Sequence, residues 1–435
     1  MNERDLDETG MPGGRPRLIR MWTNWSGSLE CRPRATDRPL DEAGVMAAVA
    51  RAADRGLRIR PVGAGHSDSP LAVTDDVHLD CSALTGIVAV GTDRVRIRAG
   101  TTLASLHAAL AEKDLALDVV PDTDAVTVAG AISTGTHGSG AAVGSLSAQV
   151  ITVRLVDGMG AVRRIDGPDL DALRTGLGAL GVLTEVELRV VPAALLHVHE
   201  EPGAPSELLA EGGVLDRHRW AEVELHVPSG EALARWGDVS EPGSEPLPVV
   251  RRDPVRAAAA GSAEALGRMV SWLAPTVWRA PRWGGSATGP AHRLLVDTRP
   301  QRTEFTEWAL PRAALDAAVR ELSAAAGARG LEVKAPVLVR VGPAESGWLH
   351  PATDRATAWI AVRAPRGTDP GPLFGLVATV LTAAGGRPHW AGRHDWTAAE
   401  VEQAYPRLAD FRRVRDKLDP QRRFANAHLD TILGP

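Results

Sequence analysis

The chain has 435 residues, 44% of them hydrophobic and 24% charged, and a formal net charge of −5. That is more chain than one ordinary core holds, so two domains are expected; the charge leaves no basic footprint for nucleic acid, and no run is long and apolar enough to span a membrane. The two cysteines, Cys31 and Cys81, make no Cys-x-x-Cys pair, give no sign of a zinc or redox site of that type, and fit a reducing cytoplasm.

In chain order, residues 1–17 are charged and glycine-rich, lack the apolar core of a signal peptide and are expected to form a disordered tail. "PLDEAGVMAAVARAADRG" predicts a helix, with an acidic start, apolar positions at helical spacing and a glycine stop. The strand "LRIRPV" then runs into a glycine turn with His66 directly behind it. "VHLDCSAL", "GIVAVG" and "RVRIRAG" predict short strands, and "TTLASLHAALAEKD" a helix capped by Thr101 or Thr102. "VTVAGAISTGTHGSGAAVGSLSAQV" is rich in small residues. "VITVRLVDGMGAVRRID" predicts a hairpin turning near Asp157 and Gly158, and "DLDALRTGLGALGVLTEVELRVVP" a helix, a glycine turn and a strand.

From about Ala193 the texture changes. "HRWAEVELHVP" predicts a strand, "SAEALGRMVSWLA" a helix, and "PTVWRAPRWGG" no element. "RTEFTEWALP" and "RAALDAAVRELSAAAGARG" predict a strand and a helix, "VKAPVLVRVGP" and "ATAWIAVRAP" two more strands, and "GPLFGLVATVLTAAGG" a helix ending in glycines. "AAEVEQAYPRLADFRRVRDKLD" reads as a helical stretch carrying the only tyrosine, Tyr405.

Three segments carry chemistry. His66, behind "VGAG", is either a loop histidine satisfied by the backbone or one held against a ligand that needs close backbone approach. "GAISTGTHGSG" is either a turn of small residues or a backbone cradle for a pyrophosphate; it is not the G-x-G-x-x-G dinucleotide fingerprint. "PHWAGRHDW" crowds His389, Trp390, His394 and Trp396 together, and without a third ligand at suitable spacing no metal site is expected.

Taken in order, "NWSGSLECRP", "RPVGAGHSDSPLAVTDDVHLD", "VTVAGAISTGTHGSG", "PHWAGRH" and "YPRLADFRRVRDKLDPQRRFANAHL" resemble the FAD-linked aldonolactone and alditol oxidases, within the vanillyl-alcohol-oxidase type flavoproteins. The resemblance implies an α+β fold: an FAD-binding domain of two α+β subdomains over 18–193, a cap domain with an antiparallel sheet and flanking helices over 194–385, and a C-terminal segment, 386–435, returning to the active site. It implies FAD as cofactor, bonded covalently to His66. Val62, Gly63, Ala64, Gly65 and Ser67 would contact it, with Ser133, Thr134, Gly135, Thr136, His137, Gly138 and Gly140 from the second loop, and Gly181, Val182 and Asn426. Pro121 falls where the family controls dioxygen access and points to an oxidase. His389, His394, Asp122 and Arg340 are the candidates for substrate binding and proton transfer.

Two positions depart from the family pattern. Where the C-terminal motif usually has lysine near the flavin, this chain has Gly392, followed by Arg393. Where a cap strand usually carries Glu-x-Arg, it has Leu338-Val339-Arg340. The expectation is therefore an FAD-dependent oxidase that passes a hydride from a carbon bearing OH or NH to the flavin and is reoxidised by dioxygen to hydrogen peroxide. Its substrate would be a small molecule other than a plain polyol, such as an intermediate of specialised metabolism. The alternatives are a sugar-lactone or alditol oxidase with a rearranged base, and a redox-inactive flavin-binding scaffold.

Overall fold

The computed structural model describes residues 21–227, 230–240, 285–296 and 302–434. The expected tail, the helix in "SAEALGRMVSWLA" and nearly all of "PTVWRAPRWGG" lie outside them.

The N-terminal part contains two small sheets. Ala35–Asp37, Val77–Asp80 and Ile59–Val62 form a parallel sheet with Val77–Asp80 in the middle. Parallel neighbours need a crossover. The helix Glu42–Asp54 carries the chain from Ala35–Asp37 over the middle strand to Ile59–Val62, with Asp41 accepting a capping bond from the Gly44 N–H and Val45, Ala48, Val49 and Ala52 buried along one stripe. The second sheet is antiparallel, in the order Val162–Ile165, Val150–Val156, Val182–Arg189, Arg94–Arg98, Ile87–Val90. The hairpin through Asp157 and Gly158 joins its first two strands as the sequence predicts. The small-residue segment is more regular than the sequence suggests: Val128–Thr134 is a helix capped by Thr127 and ended by Gly135 at φ +80°, so Ser133 and Thr134 form its last turn.

The second part is built on one antiparallel sheet of eight strands, in the order Ser286–Pro290, Leu195–Gly203, Glu231–Val239, Trp220–His226, Val337–Gly342, Thr357–Pro365, Thr303–Pro311, Arg387–Pro388. Alternation sorts its residues. Val337, Val339 and Val341 join the same apolar core as Leu322 and Leu381 of the helices Leu315–Ala328 and Gly371–Ala383. Leu338 and Arg340 stand on the opposite face.

After Arg387–Pro388 the chain leaves this sheet and packs back on the N-terminal part. Arg60, almost fully buried, donates to the carbonyls of Leu177, Gly178 and Phe424, and Ile59 N–H to that of Arg423. The predicted single helical stretch is two helices, Ala398–Ala404 and Leu408–Leu418. Pro406 pushes Tyr405 to φ −122°, ψ 96°, outside the helical region.

Candidate active site

Three loops with few large side chains line one cleft. The first, 61–68, leaves the strand Ile59–Val62; the second is the helix Val128–Thr134 with the residues after it; the third, 177–183, enters the strand Val182–Arg189. Backbone closeness dictates the glycines. A Cβ on Gly63 would fall 2.2 Å from Thr127 Oγ1, and one on Gly181, at φ +145°, 2.9 Å from the Val156 carbonyl. Val62, Gly63, Ala64, Gly65, His66, Ser67, Ser133, Thr134, Thr136, His137, Gly181 and Val182 all line the cleft. The His66 ring lies parallel to Trp25 with centroids 5.0 Å apart, and burial pushes its pKa below the usual histidine value.

Asp68 ties this loop to both other parts of the chain. Its carboxylate accepts from Ser26 Oγ (2.6 Å), Asn24 Nδ2 (3.1 Å) and the Phe305 N–H (2.9 Å), while its own N–H donates to the Ala391 carbonyl (2.7 Å). Burial raises its pKa to about 6 against the pull of those donors.

Four of the expected cofactor residues lie off the cleft. Gly135 makes room for His350, Gly138 for the Val120 carbonyl and Gly140 for the Arg219 carbonyl. Asn426 caps the helix Ala427–Leu433 and donates to the carbonyls of Pro70, Leu71 and Val73, which fixes the loop behind His66.

Part of the cleft wall is a polar cluster: Asp122, His137, Glu307, Arg340, Arg363 and His389. Arg340 Nη2 donates to Glu307 Oε1 at 2.6 Å, and Arg340 Nη1 lies 3.8 Å from Asp122, which also pairs with Arg363. His137 Nε2 is 3.5 Å from Glu307 Oε1, and its ring stacks on Trp359 at 3.7 Å. Glu307, Arg340, His137 and His389 are each at most 7% exposed, so water screens little of this charge. Burial alone would raise the Glu307 carboxyl; the Arg340 guanidinium beside it holds it well below the usual range. Burial pushes His389 down to about 4, so it is neutral at neutral pH.

Glu307 corrects the reading of Leu338. In register, Leu338 lies opposite Ala361, and Ala361 opposite Glu307. The row Leu338–Ala361–Glu307 shares one face, and the small central alanine leaves Arg340 a clear reach to Glu307. The carboxylate is thus present, two strands from where the sequence motif would put it. Its signal in the sequence is a lone acid in "EWAL", directly before buried Trp308, Ala309 and Leu310.

The remaining expected residues lie elsewhere. A Cβ on Gly392 would come within 3.2 Å of the Glu307 nitrogen and of Phe305 Cε2, so this turn has little room for a side chain. Arg393 points outward to Glu304, 3.4 Å away. His394 packs edge-on against Trp390 and near His428, away from the cleft, and burial depresses it to about 3. Pro121 is buried just before Asp122 and is not among the lining residues. His137, Glu307 and His389 bring candidate ligand atoms within 4.8 Å of one another. Arg340 already neutralises Glu307 there, so a metal ion would add positive charge beside a guanidinium. Among the described residues no helix is long and apolar enough to cross a membrane.

The family model for D-arabinono-1,4-lactone oxidase matches residues 186–432, and one for an FAD binding domain matches residues 33–166. An L-gulono-1,4-lactone dehydrogenase of Mycobacterium tuberculosis is 33% identical over 425 residues, covering 95% of this chain and 99% of its own. An alditol oxidase of a Streptomyces species is 30% identical, covering 94% and 98%, and the L-gulonolactone oxidase of Bos taurus 28% identical, covering 94% and 97%. A cholesterol oxidase from Brevibacterium sterolicum shares the fold at TM-score 0.72 and 18% identity, with 97% and 99% covered. The glycine-lined cleft fits the cofactor these matches imply: three loops offer it backbone at close range, and the polar cluster lines the same cleft. The chain belongs to the D-arabinono-1,4-lactone oxidase family and is an FAD-dependent oxidoreductase.

Proposed function

We propose that the protein oxidises a hydroxyl-bearing carbon of a small polyhydroxylated substrate, an aldono-1,4-lactone or an alditol, with dioxygen as final acceptor. One observation carries the reading: the buried Glu307–Arg340 pair, flanked by Asp122, Arg363, His137 and His389, lines the cleft. Such groups bind hydroxyls in the donor and acceptor directions a sugar derivative requires. The case for a less polar substrate rested on Leu338 and Gly392, and with Glu307 in the site its main support is gone.

The loops 61–68, 129–136 and 177–183 would hold FAD, with His66 as its tether. Held neutral by burial, the imidazole keeps a nucleophilic lone pair for that bond. Bound FAD supplies a two-electron acceptor for hydride. The protein's own part is to orient the hydroxyl, take its proton and keep water out. Dioxygen as reoxidant is carried over from the similar alditol and gulonolactone oxidases; Pro121, expected at the oxygen path, is buried and does not line the cleft.

Purified protein is mixed anaerobically with L-gulono-1,4-lactone, D-arabinono-1,4-lactone and xylitol while flavin absorbance is followed. At least one should bleach the flavin, and air should restore it with release of hydrogen peroxide. A flavin that photoreduces normally but is bleached by none of them refutes the reading and favours the scaffold. Turnover with a dye but not with dioxygen would make the protein a dehydrogenase. Acid-denatured wild type should stay yellow, and His66→Ala should release its flavin.

A further inference from the structure

We propose that His137 is the general base of this site and His389 its hydrogen-bond donor, the backbone locking the two imidazoles into opposite tautomers. The inference rests on the reading of the cleft as a hydroxyl-oxidising site and assigns roles within it.

The assignment follows from what each ring nitrogen meets. His137 Nδ1 lies 2.8 Å from the Gly138 carbonyl, which can only accept. That nitrogen therefore carries the proton, and neutral His137 presents a lone pair at Nε2. This Nε2 is buried, has no hydrogen-bond partner and lies 3.5 Å from Glu307. At His389 the pattern is reversed. The Ala391 N–H, which can only donate, points at His389 Nδ1 from 3.2 Å. Nδ1 must accept, so the proton sits on Nε2. The rings are 5.7 Å apart at 61°, and polar atoms of His137, Glu307 and His389 lie within 4.8 Å of one another, a spacing that one bridging hydroxyl can span.

The geometry can accommodate a proton delivered to His137 Nε2, which lies 3.5 Å from Glu307 Oε1. Glu307 gains an ion pair with the imidazolium, Trp359 fixes the ring plane, and Arg340 keeps Glu307 ionised. The other charged or titratable groups facing His137 are His350, from the loop after Val337–Gly342, and His389. Both are held neutral by burial. In the step itself, the substrate O–H bond breaks and its proton goes to His137 Nε2. The oxygen pair becomes the second bond of C=O, and the C–H bond yields its electron pair, with hydrogen, to the acceptor that FAD supplies. The alcohol would lose two electrons, which bound FAD would accept.

The test is anaerobic stopped-flow reduction of FAD-loaded protein by L-gulono-1,4-lactone, the probe substrate, across pH, with xylitol as the second probe. His137→Gln should slow reduction by about a hundred- to ten-thousand-fold, change substrate Kd by less than about threefold, and lose the acidic limb of the wild-type rate profile. His389→Gln should weaken Kd and keep that limb. His137→Asn serves as the second variant should His137→Gln fail to load flavin. Reduction within about tenfold of wild type with the limb intact overturns the proposal, as does a limb lost in His389→Gln instead. Loss of FAD from both His137 variants assigns His137 to cofactor binding and also overturns it. If neither probe reduces even the wild type, the functional reading falls and this inference with it; if the wild type is reduced and the His137 variants are too, only the inference falls.

Discussion

Replacing Glu307 by leucine leaves the Arg340 guanidinium buried without its nearest counter-ion. At 2.6 Å the pair attracts by about 6 kcal/mol at an effective dielectric near 20, and desolvation of both groups offsets much of that. Deleting one partner of such a pair typically costs about 3–5 kcal/mol. Asp122, 3.8 Å from Arg340, and Glu222, opposite it in register, remain and set the expectation at the lower end, about 3 kcal/mol. Urea unfolding followed by far-ultraviolet circular dichroism measures it. Because Glu307 titrates well below the ordinary glutamate pKa of about 4.3, its stabilisation is complete above that pH and is lost only as pH falls through the depressed folded value. The gap between variant and wild type should therefore be flat from about pH 5 to 8. The double variant Glu307→Leu/Arg340→Met should regain most of the stability and none of the activity. A loss under about 1 kcal/mol, or a double variant no more stable than the single one, would refute the assigned pairing.

Asp68 gives the opposite pH dependence. Its folded pKa of about 6 lies above the unfolded value of about 3.9, so its contribution is fully present below the unfolded pKa and lost as pH rises through the folded one, about 3 kcal/mol in all; Asp68→Asn should flatten the stability profile between about pH 4 and 6, as read from urea midpoints. Gly63→Ala drives a Cβ into Thr127 Oγ1, the cap of the helix Val128–Thr134, and should lower flavin bound per chain, measured by visible absorbance. Adding Thr127→Ala should restore flavin binding and leave a deficit of about 1 kcal/mol for the lost cap.

What could be read from the sequence was what lies contiguous in it. The loop through His66, the run "STGTHGSG" and the turn "HWAG" are each local, and each reaches the cleft or its wall. The alternating strands and periodic helices were legible for the same reason. The Glu307–Arg340 pair was not, because sheet register creates it: the two residues are 33 apart in sequence and two strands apart in space. His137 was read with its glycine neighbours as part of a phosphate cradle. Only the stack on Trp359 and the proximity of Glu307 show that it belongs to the polar cluster. The break at Pro406 was visible in the sequence and was outweighed by the helical pattern around it.

The clasp at the base of the cleft also sets an order of events during synthesis. The loop behind His66 is held by the carbonyls of Trp390 and Ala391, and Arg60 by that of Phe424, so the contacts from Ser69 and Arg60 span 321 and 364 residues. A chain leaving the ribosome exposes its glycine-lined loops long before these partners exist. Until the C-terminal segment docks, the N-terminal part must keep buried-to-be Arg60 and Asp68 in water, and the contacts that join the two ends are among the slowest to close. On this geometry the loop that carries His66 gains its last backbone anchors only when the C-terminal segment docks.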